Sequence, residues 1–452
     1  MKTTIKRIFT CLLLGVLTVG MPIEAQTGKW REMYQVKKKD TLYRIAKDYG
    51  ITLEELIEAN PDMKMEGYEL KRGDYIFIPY AKTEVKPQAA ATPTKSAGDV
   101  QKKIIRVGVM LPLHQDNGDG KRMIEYYRGL LMGCDSLKQH GISVDVRAWN
   151  VSMDSDIRQT LLDPAARNRD IIFGPLYSAQ VRPLANFCKT EGIKLVIPFS
   201  ISSDEVARNS QIFQVYRSAD DLNNATFDAF LERFSGQHVI FIDCNDSTSR
   251  KGVFTSGLRS RLDARGVKYS ITNLKSSEEM FARAFSRTQP NVVVLNSGRS
   301  PELNVALAKI NGLTANSSGI MVSLFGYTEW LMYTKQNLNN FFKYNTYIPT
   351  TFYYNPLSAA TRQLENHYHK WFGVPMQSSL PRFALTGYDH AQFFLRGLYQ
   401  LGSAFTGAKA QNSYTALQSP LVFRRVGSGG MQNSEFMLIH YTPEGKIEAL
   451  SY

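Results

Sequence analysis

Cysteine is scarce in this 452-residue chain, and its placement excludes two classes of protein at once. Of four cysteines, Cys11 falls in an apolar N-terminal run, leaving Cys134, Cys188 and Cys244. An odd, widely spaced set builds no disulfide framework, and it has neither zinc-ligand spacing nor a Cys-x-x-Cys redox pair. Cys134 and Cys188 fall in apolar helical patterns and read as buried thiols acting as small hydrophobes. Histidine is also sparse, with seven in all. His367 and His369 would point to different faces of a helix, whereas helical metal pairs need i, i+4 spacing. Asp116-Asn117-Gly118-Asp119-Gly120 carries two acids without the calcium-loop spacing and reads as a turn. There is no His-Glu-x-x-His, no Gly-x-Ser-x-Gly elbow and no phosphate-cradling Walker loop. The sequence reads as a non-enzyme with no cofactor and no metal.

The N-terminus is a secretory signal over residues 1–25. Lys2, Lys6 and Arg7 precede the apolar run Ile8–Val19, and Ala25 is a small residue at a plausible cut. The run is short for a bilayer span, and no transmembrane segment is expected after its removal. Phe9-Thr10 lack the small residue that lipidation wants before a cysteine. The expectation is an exported, non-lipidated protein of the periplasm or cell envelope. The formal charge is +13, of which the signal contributes only a small part. That surplus suits an anionic envelope polymer by long-range attraction. Without a basic–aromatic signature or zinc finger, and with export, nucleic acid is not a partner.

Residues 34–80 carry the clearest pattern. Tyr34 and Val36 alternate as on a half-buried strand, and Asp40-Thr41 sit where a helix N-cap is needed. Leu42, Ile45, Ala46 and Tyr49 make one apolar helical face, which Gly50 ends. Thr52 and Glu55 form a capping box for a second helix with Leu53, Leu56 and Ile57 inside, stopped by Asn60-Pro61. Gly73-Asp74 turn the chain into a closing strand, Ile76–Pro79, giving the order βααβ. Val-x-x-x-Asp-Thr-Leu-x-x-Ile-Ala, the later Asn-Pro and Leu-x-x-Gly-Asp-x-Ile-x-Ile-Pro make this segment resemble a LysM domain throughout. Lys39 departs from the family's usual glycine before Asp-Thr. The resemblance implies binding of N-acetylglucosamine polymers, peptidoglycan or chitin. Carried over by position, the groove has Asp40, Thr41 and Leu42 on one wall and Asn60, Pro61 and Met63 on the other. Short polar groups with apolar neighbours suit acetamido groups.

Residues 81–102, rich in Lys, Pro, Ala and Thr, read as a semi-extended linker. Residues 103–452 are long enough for two lobes and alternate strand with helix, hence an α/β fold with two doubly wound parallel sheets. The repeat starts with strand 104–111 and a helix from about Arg122 to His140, and it restarts at strand 238–242. One lobe is expected over about 103–230 and 354–402, the other over about 236–350 and 415–452. A helix is expected over 278–288, and Gly427-Ser428-Gly429-Gly430 reads as a hairpin turn.

The details resemble a type I periplasmic-binding-protein fold, as in branched-chain amino acid receptors. The pieces are Val109-Met110-Leu111-Pro112-Leu113 with Gly129 and Gly133, Ile171-Ile172-Phe173-Gly174-Pro175, Pro198-Phe199-Ser200-Ile201-Ser202 and Gly387-Tyr388-Asp389-His390-Ala391. Open α/β sheets bind ligands outside the carboxyl ends of their strands. That rule gives an inter-lobe cleft at His114, Tyr177, Ser178, Ser200, Ser202, Asp243 and Tyr327. The resemblance implies that Tyr177, Ser178, Ser200 and Ser202 face a ligand carboxylate, with Asp243 or Glu329 on the amine side. Two functions stay open. One is a wall-bound module that presents its receptor-like domain to an envelope protein partner. The other is a wall-tethered receptor for an amino acid, peptide or muropeptide.

Overall fold

The computed structural model describes residues 32–38, 40–60, 63, 70–79, 104–199, 204–317, 319–411 and 413–452. The signal and linker segments lie outside them. The chain divides into two units, residues 1–95 and 96–452. In the first, β1 (Glu32–Gln35), α1 (Leu42–Asp48), α2 (Leu53–Ala59) and β2 (Tyr75–Ile78) follow in order, and the strands pair antiparallel. The Thr41 hydroxyl accepts from Arg44 N–H and caps α1. The Thr52–Glu55 capping box closes as the spacing predicts. Val36, Ile45, Leu56, Ile76 and Ile78 form the core.

The second unit begins with β3 (Ile105–Leu111), α3 (Gly118–Gln139), β4 (Val144–Asn150), α4 (Ile157–Leu161), α5 (Pro164–Arg167), β5 (Ile171–Phe173), α6 (Ser178–Glu191), β6 (Lys194–Ile197) and β7 (Ile212–Gln214). The second lobe holds α7 (Ala219–Arg233), β8 (His238–Asp243), α8 (Lys251–Ala264), β9 (Tyr269–Asn273), α9 (Glu278–Arg283), β10 (Asn291–Leu295), α10 (Ser300–Asn316), β11 (Val322–Phe325), α11 (Thr334–Lys343) and β12 (Thr346–Thr350). Then come α12 (Ala359–Phe372), α13 (Phe383–Leu401), β13 (Phe423–Arg425), β14 (Met431–Asn433), β15 (Met437–Tyr441) and β16 (Ile447–Ser451). Two seven-stranded sheets result, ordered β13-β14-β7-β6-β5-β3-β4 and β16-β15-β12-β11-β10-β8-β9. Both are parallel except for hairpins at one edge.

Both faces of each sheet are covered, so the central strands are apolar on alternate sides. Val107, Val109, Phe173 and Val196 meet Leu130 of α3 and Phe394 of α13, while Met110, Ile172, Leu195 and Ile197 meet Val181, Leu184 and Cys188 of α6. The cysteines are buried free thiols, and burial pushes those of Cys134 and Cys244 up to about 12.

Four sequence expectations are corrected, the first being the lobe boundary near residue 230: α7 packs Phe227 and Phe230 into the second lobe's core. Residues 415–452 do not form one block, because β13 and β14 join the first sheet through β7 while β15 and β16 close the second. The chain therefore crosses between lobes three times, after β7, β12 and β14. Helix α3 starts at Gly118 inside the expected turn, because the Asn117 side chain accepts from Gly120 N–H at 2.9 Å and caps it. Helix α9 stops at Arg283 rather than near Thr288, since the buried Asn291 amide captures Ser286 N–H and C=O at 2.8 and 2.9 Å.

Inside the first lobe, His390 is buried with Nδ1 2.9 Å from the Tyr126 hydroxyl. Burial lowers its pKa from the usual 6.5 to about 3, so the fold holds it neutral. As pH falls from 7 to 5 the unfolded chain takes up a proton there that the folded chain refuses. The fold should lose about 2 kcal/mol through this group, and the loss should stop only near the folded pKa. Urea unfolding at both pH values, compared with His390→Gln, should show that increment vanish in the variant.

Candidate functional site

The expected groove of the small unit is only partly a groove. Asp40 accepts from Lys37 N–H at 2.7 Å and from the Tyr34 hydroxyl at 2.8 Å, which pins the turn ahead of the Thr41 cap. These donors hold its carboxyl below the usual range. Leu42 opens α1, half-buried against the core. Asn60 is turned inward: its amide donates to the Leu56 and Phe77 carbonyls and its oxygen accepts from Phe77 N–H at 2.7 Å. It ties α2 to β2 and is no free wall of a groove. Met63 is likewise in the core, and Pro61 lies outside the described residues. Buried polar side chains must be satisfied, and Asn60 is satisfied by the backbone of α2 and β2.

In the large unit, the strand ends of the first lobe converge on the start of α3. His114 Nδ1 stands 3.3 Å from Asp116 Oδ2, and its carbonyl lies where any Cβ on Gly120 would fall, at 2.2 Å. The first turn of α3 thus closes against His114 only because residue 120 is glycine. Asp119 pairs with Arg122 and accepts from the Tyr177 hydroxyl at 3.3 Å. Burial and this acid raise the Tyr177 phenol. Ser178 follows as the first residue of α6. His114 and Tyr177 therefore share one rim with Asp119 and Arg122, two residues that the sequence reading left in a turn and a helix face. Ser200 and Ser202 lie outside the described residues. An aromatic cluster fills the end of β6, with Phe199 5.1 Å from Tyr126, 5.8 Å from Tyr216 and 5.5 Å from Phe383.

The second lobe's strand ends form another polar rim. Asp243 accepts from Asn245 N–H and the Asn296 amide, both at 2.9 Å. Asp246 accepts from the Thr248 and Ser297 hydroxyls at 2.6 and 2.8 Å, which with a smaller contribution from Arg299 bring its pKa down to about 2. Lys251 Nζ lies 2.7 Å from Glu329 and 4.6 Å above the Tyr327 ring. Tyr327 itself is not a cleft side chain. It is 4% exposed, its hydroxyl donates to the Leu295 carbonyl, and burial raises its pKa well above normal. An aromatic ring after a parallel strand has packing to gain on Phe254 and Trp330, and that wins. Cavities of about 790 and 770 Å³ lie away from these rims, beside residues 409–422 and around His440.

Residues 164–434 match the sequence profile described as periplasmic binding protein, and residues 34–79 match the LysM domain. The chain belongs to the periplasmic binding protein family. Among solved structures, this periplasmic binding protein resembles a putative branched-chain amino acid ABC transporter from Rhodospirillum rubrum. The TM-score is 0.52 at 14% identity, covering 77% of this chain and 100% of that one. An ABC transporter substrate-binding protein from Desulfitobacterium hafniense, in complex with Leu, gives 0.42 at 14% identity, with the same coverage. Such identities establish the fold alone. A comparison with curated protein sequences gave no match. Both domain types are non-catalytic binding modules of extracytoplasmic, cell-envelope proteins. No helix among the described residues is long and apolar enough to cross a membrane.

Proposed function

We propose that this periplasmic binding protein is held on peptidoglycan by its LysM domain and presents its two-lobed domain to an envelope protein that builds or remodels the wall. What supports this reading is the state of the strand-end charges. Glu329 is paired with Lys251, Asp243 with Asn245 and Asn296, and Asp119 with Arg122 and Tyr177, each within its own lobe. Lys251 already offsets the charge of Glu329 at one carboxylate oxygen, which weakens its pull on a ligand ammonium. A receptor tied to the wall is also poorly placed to shuttle to a permease. The second reading, a wall-tethered receptor for an amino acid, peptide or muropeptide, is favoured by the family match and by the two polar rims at strand ends.

The readings separate by experiment. The full chain should co-sediment with purified sacculi, and a chain lacking residues 34–80 should not. Equal sedimentation of the two would remove the wall-binding reading. Thermal melting of the full chain against amino acids, short peptides and muropeptides tests the cleft. A ligand at about 100 times its Kd should add roughly 2.7 kcal/mol and raise the Tm by a few degrees. A flat panel is the expected result, and a clear shift with one class would make the second reading the right one.

A further inference from the structure

The LysM unit as a whole is close to neutral, with eight Lys/Arg and nine Asp/Glu over residues 34–80. Its charges are nonetheless sorted. A cavity of about 490 Å³ is lined by Lys37, Lys38 and Arg72 together with Tyr34, Tyr49 and Gly73, with no acidic residue among the described residues that line it. The pocket is built by the fold. Val36 N–H donates to the Asp74 carbonyl and Gly73 N–H to the Val36 carbonyl, both at 2.9 Å, which clamps the 71–74 turn beside the chain leaving β1. Gly73 holds φ +99°, a conformation that side chains avoid, and this turn carries Arg72 round to the two lysines. Tyr34 and Tyr49 meet edge to face at 5.7 Å, and Lys37 Nζ stands 5.6 Å from the Tyr34 ring. The nearby carboxylates are already engaged, Asp40 by two residues of the pocket wall itself and Asp48 by Arg44 at 3.8 Å. Asp40 accepts from Tyr34 and Lys37 N–H, and Asp74 from Lys71 N–H.

We propose that this cationic pocket is a carboxylate site for the peptide arms of peptidoglycan, next to the sugar-binding face that begins at Asp40-Thr41. The assignment rests on the peptidoglycan reading above and adds what the sugar groove alone lacks. Chitin and peptidoglycan share N-acetylglucosamine, but only peptidoglycan carries carboxylate-bearing peptides on alternate sugars. Three cations, with no acid among the described lining residues, turn that difference into selectivity. Two tyrosine rings give the aliphatic parts of a peptide an apolar floor.

The test uses the full chain and three probes: sacculi, sacculi with their peptide carboxylates amidated, and a neutral chitooligosaccharide. Exposed ion pairs are individually weak, so three of them together should make native sacculi preferred over amidated ones by about tenfold. The preference should shrink in high salt. Lys37→Gln/Lys38→Gln/Arg72→Gln should abolish it while binding the chitooligosaccharide as the unsubstituted chain does, which also reports an intact LysM fold. A variant that keeps the preference, or loses the neutral oligosaccharide as well, overturns the assignment. No preference in the unsubstituted chain overturns it too, yet leaves glycan binding standing. If the unsubstituted chain binds none of the probes, the peptidoglycan reading itself falls and the pocket with it.

Discussion

Gly387→Leu is expected to cost the first lobe more than about 4 kcal/mol, enough to abolish its cooperative melting transition. The reason is the contact between α3 and α13. A Cβ at Gly387 would stand 2.0 Å from the Tyr126 carbonyl oxygen and 2.9 Å from Leu130 N, and one at Gly129 would stand 1.8 Å from the Ala384 carbonyl. Those neighbours are helix backbone and cannot rotate away, unlike a flexible side chain. The helices would have to separate, opening the packing of Phe394, Leu130 and Phe173 on the sheet. Gly312→Ala on α10 is the matched control. Nothing lies within 4 Å of its added methyl, so that change should be neutral or slightly stabilising. Calorimetry of the two variants decides the point, and a Gly387→Leu protein melting within a few degrees of the parent would refute it.

Asp389→Ala is expected to cost about 3–5 kcal/mol, the range for breaking a buried charged interaction from one side. The carboxylate is fully buried in α13. Its Oδ1 accepts from the Tyr414 hydroxyl at 2.7 Å and Leu417 N–H at 2.8 Å, and its Oδ2 from Gln418 and Ser419 N–H at 2.9 and 2.8 Å. Alanine strips three backbone amides of this acceptor in a segment that leads into β13. Asp389→Asn keeps one acceptor oxygen but turns an NH₂ toward two donors, so it should cost nearly as much. Urea unfolding gives the magnitude. Hydrogen exchange should show residues 414–425 losing protection first; protection unchanged there would place the carboxylate's role elsewhere.

Gly129, Gly133 and Gly387 were legible only as pieces of the family resemblance, and their role in a close helix crossing shows only in the packing. The alternation of buried strands and helices was legible directly, because both faces of each sheet are covered. What stayed hidden depends on partners distant in sequence. Strands β13 and β14 have only three residues each, and nothing local in Phe423–Arg425 or Met431–Asn433 says which sheet they join. The reach of Asn60 to Phe77 is tertiary, as is the choice of Tyr327 for the core over the cleft. On the second rim, Asp246, Arg299 and Lys251 gave no signal because each meets its partner only once β8, β10 and β11 lie side by side. On the first rim, Asn117 concealed Asp119 and Arg122 by starting a helix at a glycine.

The triple crossing between the lobes sets the mechanics of the large domain. Arg217 Nη1 donates to the Ser434 carbonyl at 3.3 Å, fastening the first crossing to the third. Near the second crossing, Tyr353 N–H donates to the Gln418 carbonyl at 2.9 Å. The first and third connectors, held side by side, act as a strip rather than a cord: such a pair bends easily across its width and resists torsion. Three passes in place of one oppose twisting of one lobe against the other more than a single connector would. The same redundancy means that a single backbone cut in 351–357 leaves the halves joined by two intact passes.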